Sequence, residues 1–228
     1  MGELHIFDYL AKPPLPSVDE SDIEKASTMS DEWLAYVDPN LPKGAPITGS
    51  FLMGGRFVDK EGRITDEYWV NPDFIPQQPK SAGMRFGSHF ELVLWRTLKG
   101  YNNIDRFLAS LSQAELFTPG SQGAPDKLWF ENEPDGKRVL PVYSSQQFLP
   151  PDRYPWRTIS GLEILEKVCP QEGTVIHFNP DGILSVGLSG AELNDLWAEW
   201  KKFDAMAKER TQAGQGMSTG QRTSRESR

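Results

Sequence analysis

Apolar positions recur along this chain with two periods, and the switches between them outline its elements. Short apolar runs bounded by Pro, Gly, Asn and Asp predict strands, whereas apolar residues at three- and four-residue steps predict helices. Trp33-Leu34-Ala35-Tyr36-Val37 is the first such run, and Asp38-Pro39 ends it. Gly49 to Val58 follows as a second strand. Lys60-Glu61-Gly62 turns the chain into a third strand, Ile64 to Val70. Asn71-Pro72, Pro76 and Pro79 stop it, because proline supplies no ladder donor. These three strands are expected to form an antiparallel meander.

The period then changes. Phe90, Val93, Leu94, Thr97 and Leu98 define a helix with Ser88 as N-cap and Gly100 closing it. Ile104, Phe107, Leu108 and Leu111 define a second. Leu116-Phe117-Thr118 and Leu128-Trp129-Phe130-Glu131 return to strand character. The turn Pro134-Asp135-Gly136 joins the latter to Arg138-Val139-Leu140-Pro141-Val142-Tyr143 as a hairpin. Ser144 or Ser145 is placed to cap one helical turn reaching Phe148-Leu149. Trp156 to Ile159 re-enters a sheet, and Ser160 caps a helix from Leu162 to Val168 whose Leu162, Leu165 and Val168 share a face. Thr174 to Phe178 and Ile183 to Val186 pair across Asp181-Gly182. Ser189, with Glu192 three residues on, forms a capping box for the last helix, whose apolar face is Leu193, Leu196, Trp197, Trp200 and Phe203.

The ends lack this patterning. Residues 1–30 carry a short apolar patch (Ile6, Phe7, Tyr9, Leu10) broken by Pro13, Pro14 and Pro16, and read as a flexible arm with a short helix near Ser21-Asp22-Ile23-Glu24, placed to dock on its own domain or, as the second choice, on a partner. From about Ala207 the Gly/Gln/Ser/Thr/Arg-rich stretch to Arg228 reads as a disordered tail. Between them, residues 31–206 are expected to form a single α/β domain of mixed α+β type, a largely antiparallel mixed sheet packed with helices. Residues 31–136 are its upstream half and 137–206 its second half.

Composition narrows the classes of function. The chain has 228 residues, a net charge of −8 and 38% hydrophobic residues, so it can fill a core and offers no basic face for phosphates. No nucleic-acid partner and no membrane insertion are expected, and the absence of a leader-like or spanning apolar run reads as cytoplasmic. The single cysteine, Cys169, excludes an internal disulfide and a cysteine-based zinc site.

Candidate chemistry is sparse. His5, His89 and His177 are far apart, and His177 lies in a strand with Ile176 and Phe178 turned to the other face. Cys169 follows a helix C-terminus, where the dipole disfavours a thiolate. Ser144-Ser145 lack the flanking glycines of a nucleophile elbow. Gly54-Gly55 and Gly120-Ser121-Gln122-Gly123 lack the lysine of a P-loop and the spacing of a dinucleotide fingerprint. No catalytic, cofactor or metal residues are therefore assigned, and no cofactor is expected. Tyr101-Asn102-Asn103-Ile104-Asp105 has the tyrosine-to-acid spacing of type VII secretion substrates, without the Trp-x-Gly that normally precedes it. The aromatic stripe Trp197, Trp200 and Phe203 is assigned to packing first and is a partner-binding face wherever it is exposed.

Val139-Leu140-Pro141-Val142-Tyr143-Ser144-Ser145, Val175-Ile176-His177-Phe178-Asn179-Pro180-Asp181-Gly182 and Leu188-Ser189-Gly190-Ala191-Glu192-Leu193, in that order, resemble the SseB N-terminal domain. Trp33 to Pro39, Gly55-Arg56-Phe57-Val58-Asp59 with Gly62-Arg63-Ile64, and Asn71-Pro72-Asp73-Phe74-Ile75-Pro76 resemble the actinobacterial subgroup of type VII secretion system-associated proteins. The resemblance implies an α/β domain in the cytoplasm with no established catalytic residues. The expected function is a non-enzymatic accessory or adaptor protein that binds a protein partner, either a secretion component or a toxin. An immunity protein against a cognate toxin is the alternative, and a hydrolase or transferase with a site around His177 is a third reading.

Overall fold

The computed structural model describes residues 14–77, 86–121, 124–151, 155–182 and 184–219. The apolar patch Ile6 to Leu10, Pro79, part of the Gly120–Gly123 loop and the tail from residue 220 lie outside the described residues. The architecture is α+β, with helices packed on mixed, mainly antiparallel sheets.

Strands β1 (Glu32–Val37), β2 (Leu52–Val58) and β3 (Ile64–Val70) form the expected meander, in the order β1-β2-β3. Leu34 pairs with Arg56, and Gly54 pairs with Val70. Helix α1 (Glu20–Ala26) lies beside this sheet. Asp19 caps it by accepting from the Asp22 amide at 2.9 Å, and the Asp22 side chain accepts in return from Asp19 N, closing a capping box. Leu15 and Ala26 bury themselves with Leu34, Tyr36 and Val58 in a small apolar cluster. Residues 14–30 are thus docked rather than free. Burial of Leu15 and the hydrogen bond from Tyr36 Oη to Asp22 Oδ2 (3.2 Å) hold them there.

The larger core is built by helices α2 (His89–Leu98) and α3 (Ile104–Gln113) against a four-stranded sheet. This sheet contains β6 (Glu131–Asn132), β7 (Arg138–Val142), β9 (Thr174–Phe178) and β10 (Val186–Ser189), in the order β10-β9-β7-β6. Strands β7 and β9 run parallel, with Leu140 opposite Ile176 and Val142 opposite Phe178. These four side chains are fully buried on the helix side, where Phe178 meets Phe90 at 5.7 Å and Phe107 at 6.3 Å. Each such aromatic contributes roughly 1.5–3 kcal/mol by leaving water. A third sheet, β4 (Glu115–Ser121), β5 (Ala124–Leu128) and β8 (Trp156–Ser160), joins the second through reciprocal backbone bonds between Phe117 and Tyr143.

Helix α4 (Gly161–Glu163) follows β8 directly and widens into a π turn over Ile164–Val168, where the Cys169 amide donates to the Ile164 carbonyl five residues back. This corrects the expected face. Ile164 and Leu165 are wholly buried with Val168, while Leu162 is 42% exposed, because the wider turn rotates the side chains off the 3.6-residue stripe. The close approach of Gly161 to the Leu111 carbonyl anchors this start, since a Cβ there would overlap that oxygen.

Two further boundaries move. Ile183, where the strand is expected to start, lies outside the described residues, and β10 begins at Val186, just after the bond from Ser185 N to Gly182 O. The last helix, α5 (Gly190–Thr219), continues past the expected end near residue 206. Ala205, Met206, Ala207, Lys208 and Glu209 all favour helix, and a Lys208–Asp204 pair at 2.6 Å spans one of these turns.

Candidate functional site

The C-terminal ends of the parallel strands β7 and β9 are where α/β sheets usually place functional groups. Ser144 follows β7 and Asn179 follows β9. Ser144 N donates to Asn179 Oδ1 at 2.8 Å. That bond fixes the amide orientation, because the opposite rotamer would set a donor against a donor. Ser144 Oγ lies 2.9 Å from Glu91 Oε1 and 3.0 Å from Asn179 Oδ1, so its hydrogen is committed to this cluster. Glu91, wholly buried in the first turn of α2, also accepts from Gln147 Nε2 at 3.0 Å and from the Gly87 amide. Asn179 holds a left-handed backbone (φ 45°), which asparagine tolerates, and its amide donates to the Val142 carbonyl at 2.7 Å.

This arrangement replaces the capping role expected of the two serines. The single helical turn Gln146–Phe148 has Ser145 at its start with no side-chain cap bond, and Ser144 instead ties α2 to both parallel strands. Ser145 Oγ and Asn179 Nδ2 are buried without partners. The cluster is a polar clamp aimed inward. The Ser144 hydroxyl, the Glu91 carboxylate and Asn179 Oδ1 are spent on joining three elements.

His177 lies on the opposite face of β9 from Ile176 and Phe178. Its Nε2 is 3.0 Å from Ser185 Oγ, a partner not foreseen from the sequence. Burial lowers the pKa of His177 from its ordinary value, and Glu131, Asp181 and Glu133 oppose that shift in part. Cys169 is buried, and burial pushes its thiol up to about 12.

The aromatic stripe of α5 divides. Trp197 is 5% exposed within the main core, and Trp200 stacks on it at 4.8 Å and 10°. Lys201 reaches over the Trp197 ring at 5.5 Å and pairs with Glu166 at 3.7 Å, which fastens the helix to the π turn. One step further, Phe203 is 65% exposed and Met206 44%. The stripe thus starts as core and runs out onto the surface of a helix about 45 Å long. Met206 extends it beyond the residues singled out from the sequence.

Among known proteins, residues 91–195 match the family model of the SseB protein N-terminal domain. This segment is therefore SseB-like, and it runs from the clamp residue Glu91 through β10 into the start of α5. Residues 31–90, which carry the resemblance to the secretion-associated subgroup, lie outside that match. No curated protein and no solved structure matches the chain. Among the described residues no helix is long and apolar enough to cross a membrane.

Proposed function

We propose that the protein is a non-enzymatic accessory protein of a type VII-like secretion or toxin-delivery locus, and that it binds a protein partner through the outward stretch of α5. The observation that carries this is the division of one apolar stripe. Trp197 and Trp200 secure the helix, and Phe203 and Met206 prolong the same face into solvent. An aromatic anchor beside a flexible thioether, held on a rigid helix, has the character of an interface hot spot. The SseB-like segment and the subgroup-like motifs upstream of it support the assignment to a secretion locus.

The experiment is pairwise binding of the purified protein to each protein encoded by neighbouring genes, with Phe203→Asp as the variant. A partner that binds the native chain and loses affinity for the variant supports the reading. Failure of every neighbour to bind counts against it, as does equal affinity for the variant. Loss of toxicity when the chain is co-expressed with a neighbouring toxin would direct the reading to immunity instead.

A further inference from the structure

A cleft of about 680 Å³ opens between α2 and α3, and no residue of α5 lines it. Phe90 and Val93, each 4% exposed, line it with Ala109, and this makes the floor apolar. Arg96 and Arg106 lie along its lining. Arg96 is 6% exposed, and its Nε donates to the Phe74 carbonyl at 2.7 Å. Among the described residues no carboxylate forms a salt bridge with it.

A buried guanidinium to which no carboxylate is bonded is costly, and an anion that bonds it directly lowers that cost. Burial lowers the Arg96 pKa; Asp73 offsets this in part, and the neighbouring Arg106 adds to it. Arg106 itself pairs with Asp73 at 2.7 Å, where the two side chains are 46% and 73% exposed. An exposed pair of this kind is weak and exchanges readily for a better anion. Asn102, also in the lining, is buried, and its Oδ1 has no partner.

We propose that this cleft binds a carboxylate carried on an apolar body. Arg96 and Arg106 hold the anion, and Phe90 and Val93 receive the body. Arginine suits this role because its planar fork matches a carboxylate in two bonds. A single negative charge fits better than a phosphate dianion, since Asp73 and Glu115 also line the cleft and repel a second charge. The chemistry is shared by two sources, the C-terminus of a polypeptide ending in an apolar residue and a free aliphatic acid. The inference does not depend on the function proposed for α5.

The test is calorimetric titration of the full chain with four probes: an acetylated tetrapeptide ending in leucine as the free acid, the same peptide as its C-terminal amide, octanoate, and inorganic phosphate. The free acid is expected to bind at least about tenfold more tightly than the amide, and phosphate more weakly than either carboxylate. Arg106→Gln, at a half-exposed site, should weaken carboxylate binding about fivefold or more while the unfolding midpoint stays unchanged. Arg96→Lys keeps the charge but loses the fork and should do the same. Preference for the peptide acid over octanoate assigns the site to chain ends, and the reverse assigns it to free acids. The proposal is overturned if neither carboxylate binds, if acid and amide bind alike, or if both arginine variants keep native affinity.

Discussion

Ser144 and Asn179, 35 residues apart in the chain, close the ends of the two parallel strands by a backbone-to-side-chain bond of 2.8 Å. Their second contact, through Ser144 Oγ, brings in Glu91, which lies 53 residues from Ser144. The Leu-Pro-Val-Tyr-Ser and Asn-Pro-Asp-Gly motifs therefore meet in space, with α2 locked onto both.

Replacing Glu91 by Gln tests this clamp. The new amide fits only with its NH2 towards the Ser144 hydroxyl, which then gives its hydrogen to Asn179 Oδ1, and the bonds from Ser144, Gly87 and Gln147 all lose their carboxylate acceptor. A loss of about 1–3 kcal/mol is expected from urea unfolding. Ser144→Ala leaves the buried Glu91 Oε1 without its hydroxyl donor and should likewise cost about 1–3 kcal/mol, although the Ser144 amide bond to Asn179 survives.

The α5 stripe predicts a graded series. Trp197→Ala opens a cavity in the main core and should cost about 3–5 kcal/mol. Phe203→Ala removes a side chain that is already 65% exposed and should change stability by no more than about 0.5 kcal/mol. Equal losses at the two positions would mean that Phe203 is packed in solution.

Gly161→Ala should be among the most damaging single changes. The added Cβ would overlap the Leu111 carbonyl oxygen, which is backbone and has no rotamer to turn away. The shift needed separates β8 from α3, and a loss exceeding about 3 kcal/mol is expected from thermal or urea unfolding.

These sites differ in how far the sequence revealed them. The α2 cap at Ser88 and the Ser189 cap are legible because each rests on a neighbour three residues away, and the meander because its apolar runs are bounded by Pro, Gly and Asn turn signals. The clamp was not. Ser144 beside a turn has the pattern of a cap, and its distant partner Glu91 sits in the first turn of α2, where an acid needs no further explanation. Leu162 was misplaced because the π turn changes the period without a mark in the residue pattern. The extension of α5 was missed because composition past Ala207 outweighed the helix-forming run before Arg210. Phe203 stood in the stripe from the start, but where that stripe leaves the core is set by the edge of the domain, which periodicity does not encode.

Alkaline pH should unfold the protein through two buried acids. Burial pushes both the Cys169 thiol and the Tyr101 phenol up from their ordinary values to about 12; for Tyr101, Asp38 adds to the shift. Each group ionises more easily in the unfolded chain. Its stabilising contribution is therefore complete below the unfolded pKa and is lost as pH rises from about 9 towards 12. Unfolding midpoints measured across that window should fall, and Cys169→Ala with Tyr101→Phe should flatten the decline. Iodoacetamide at pH 8 should label Cys169 in denaturant and leave it unlabelled in the folded chain.

The account rests most heavily on α5 as a partner-binding helix. Its most direct measurement is the affinity of native and Phe203→Asp protein for each product of the neighbouring genes, with the unfolding midpoint of both chains recorded in parallel. At least one neighbour is expected to bind the native chain, and the variant should bind it about tenfold or more weakly with an unchanged midpoint. Binding by no neighbour, or equal binding to both chains, would contradict the claim.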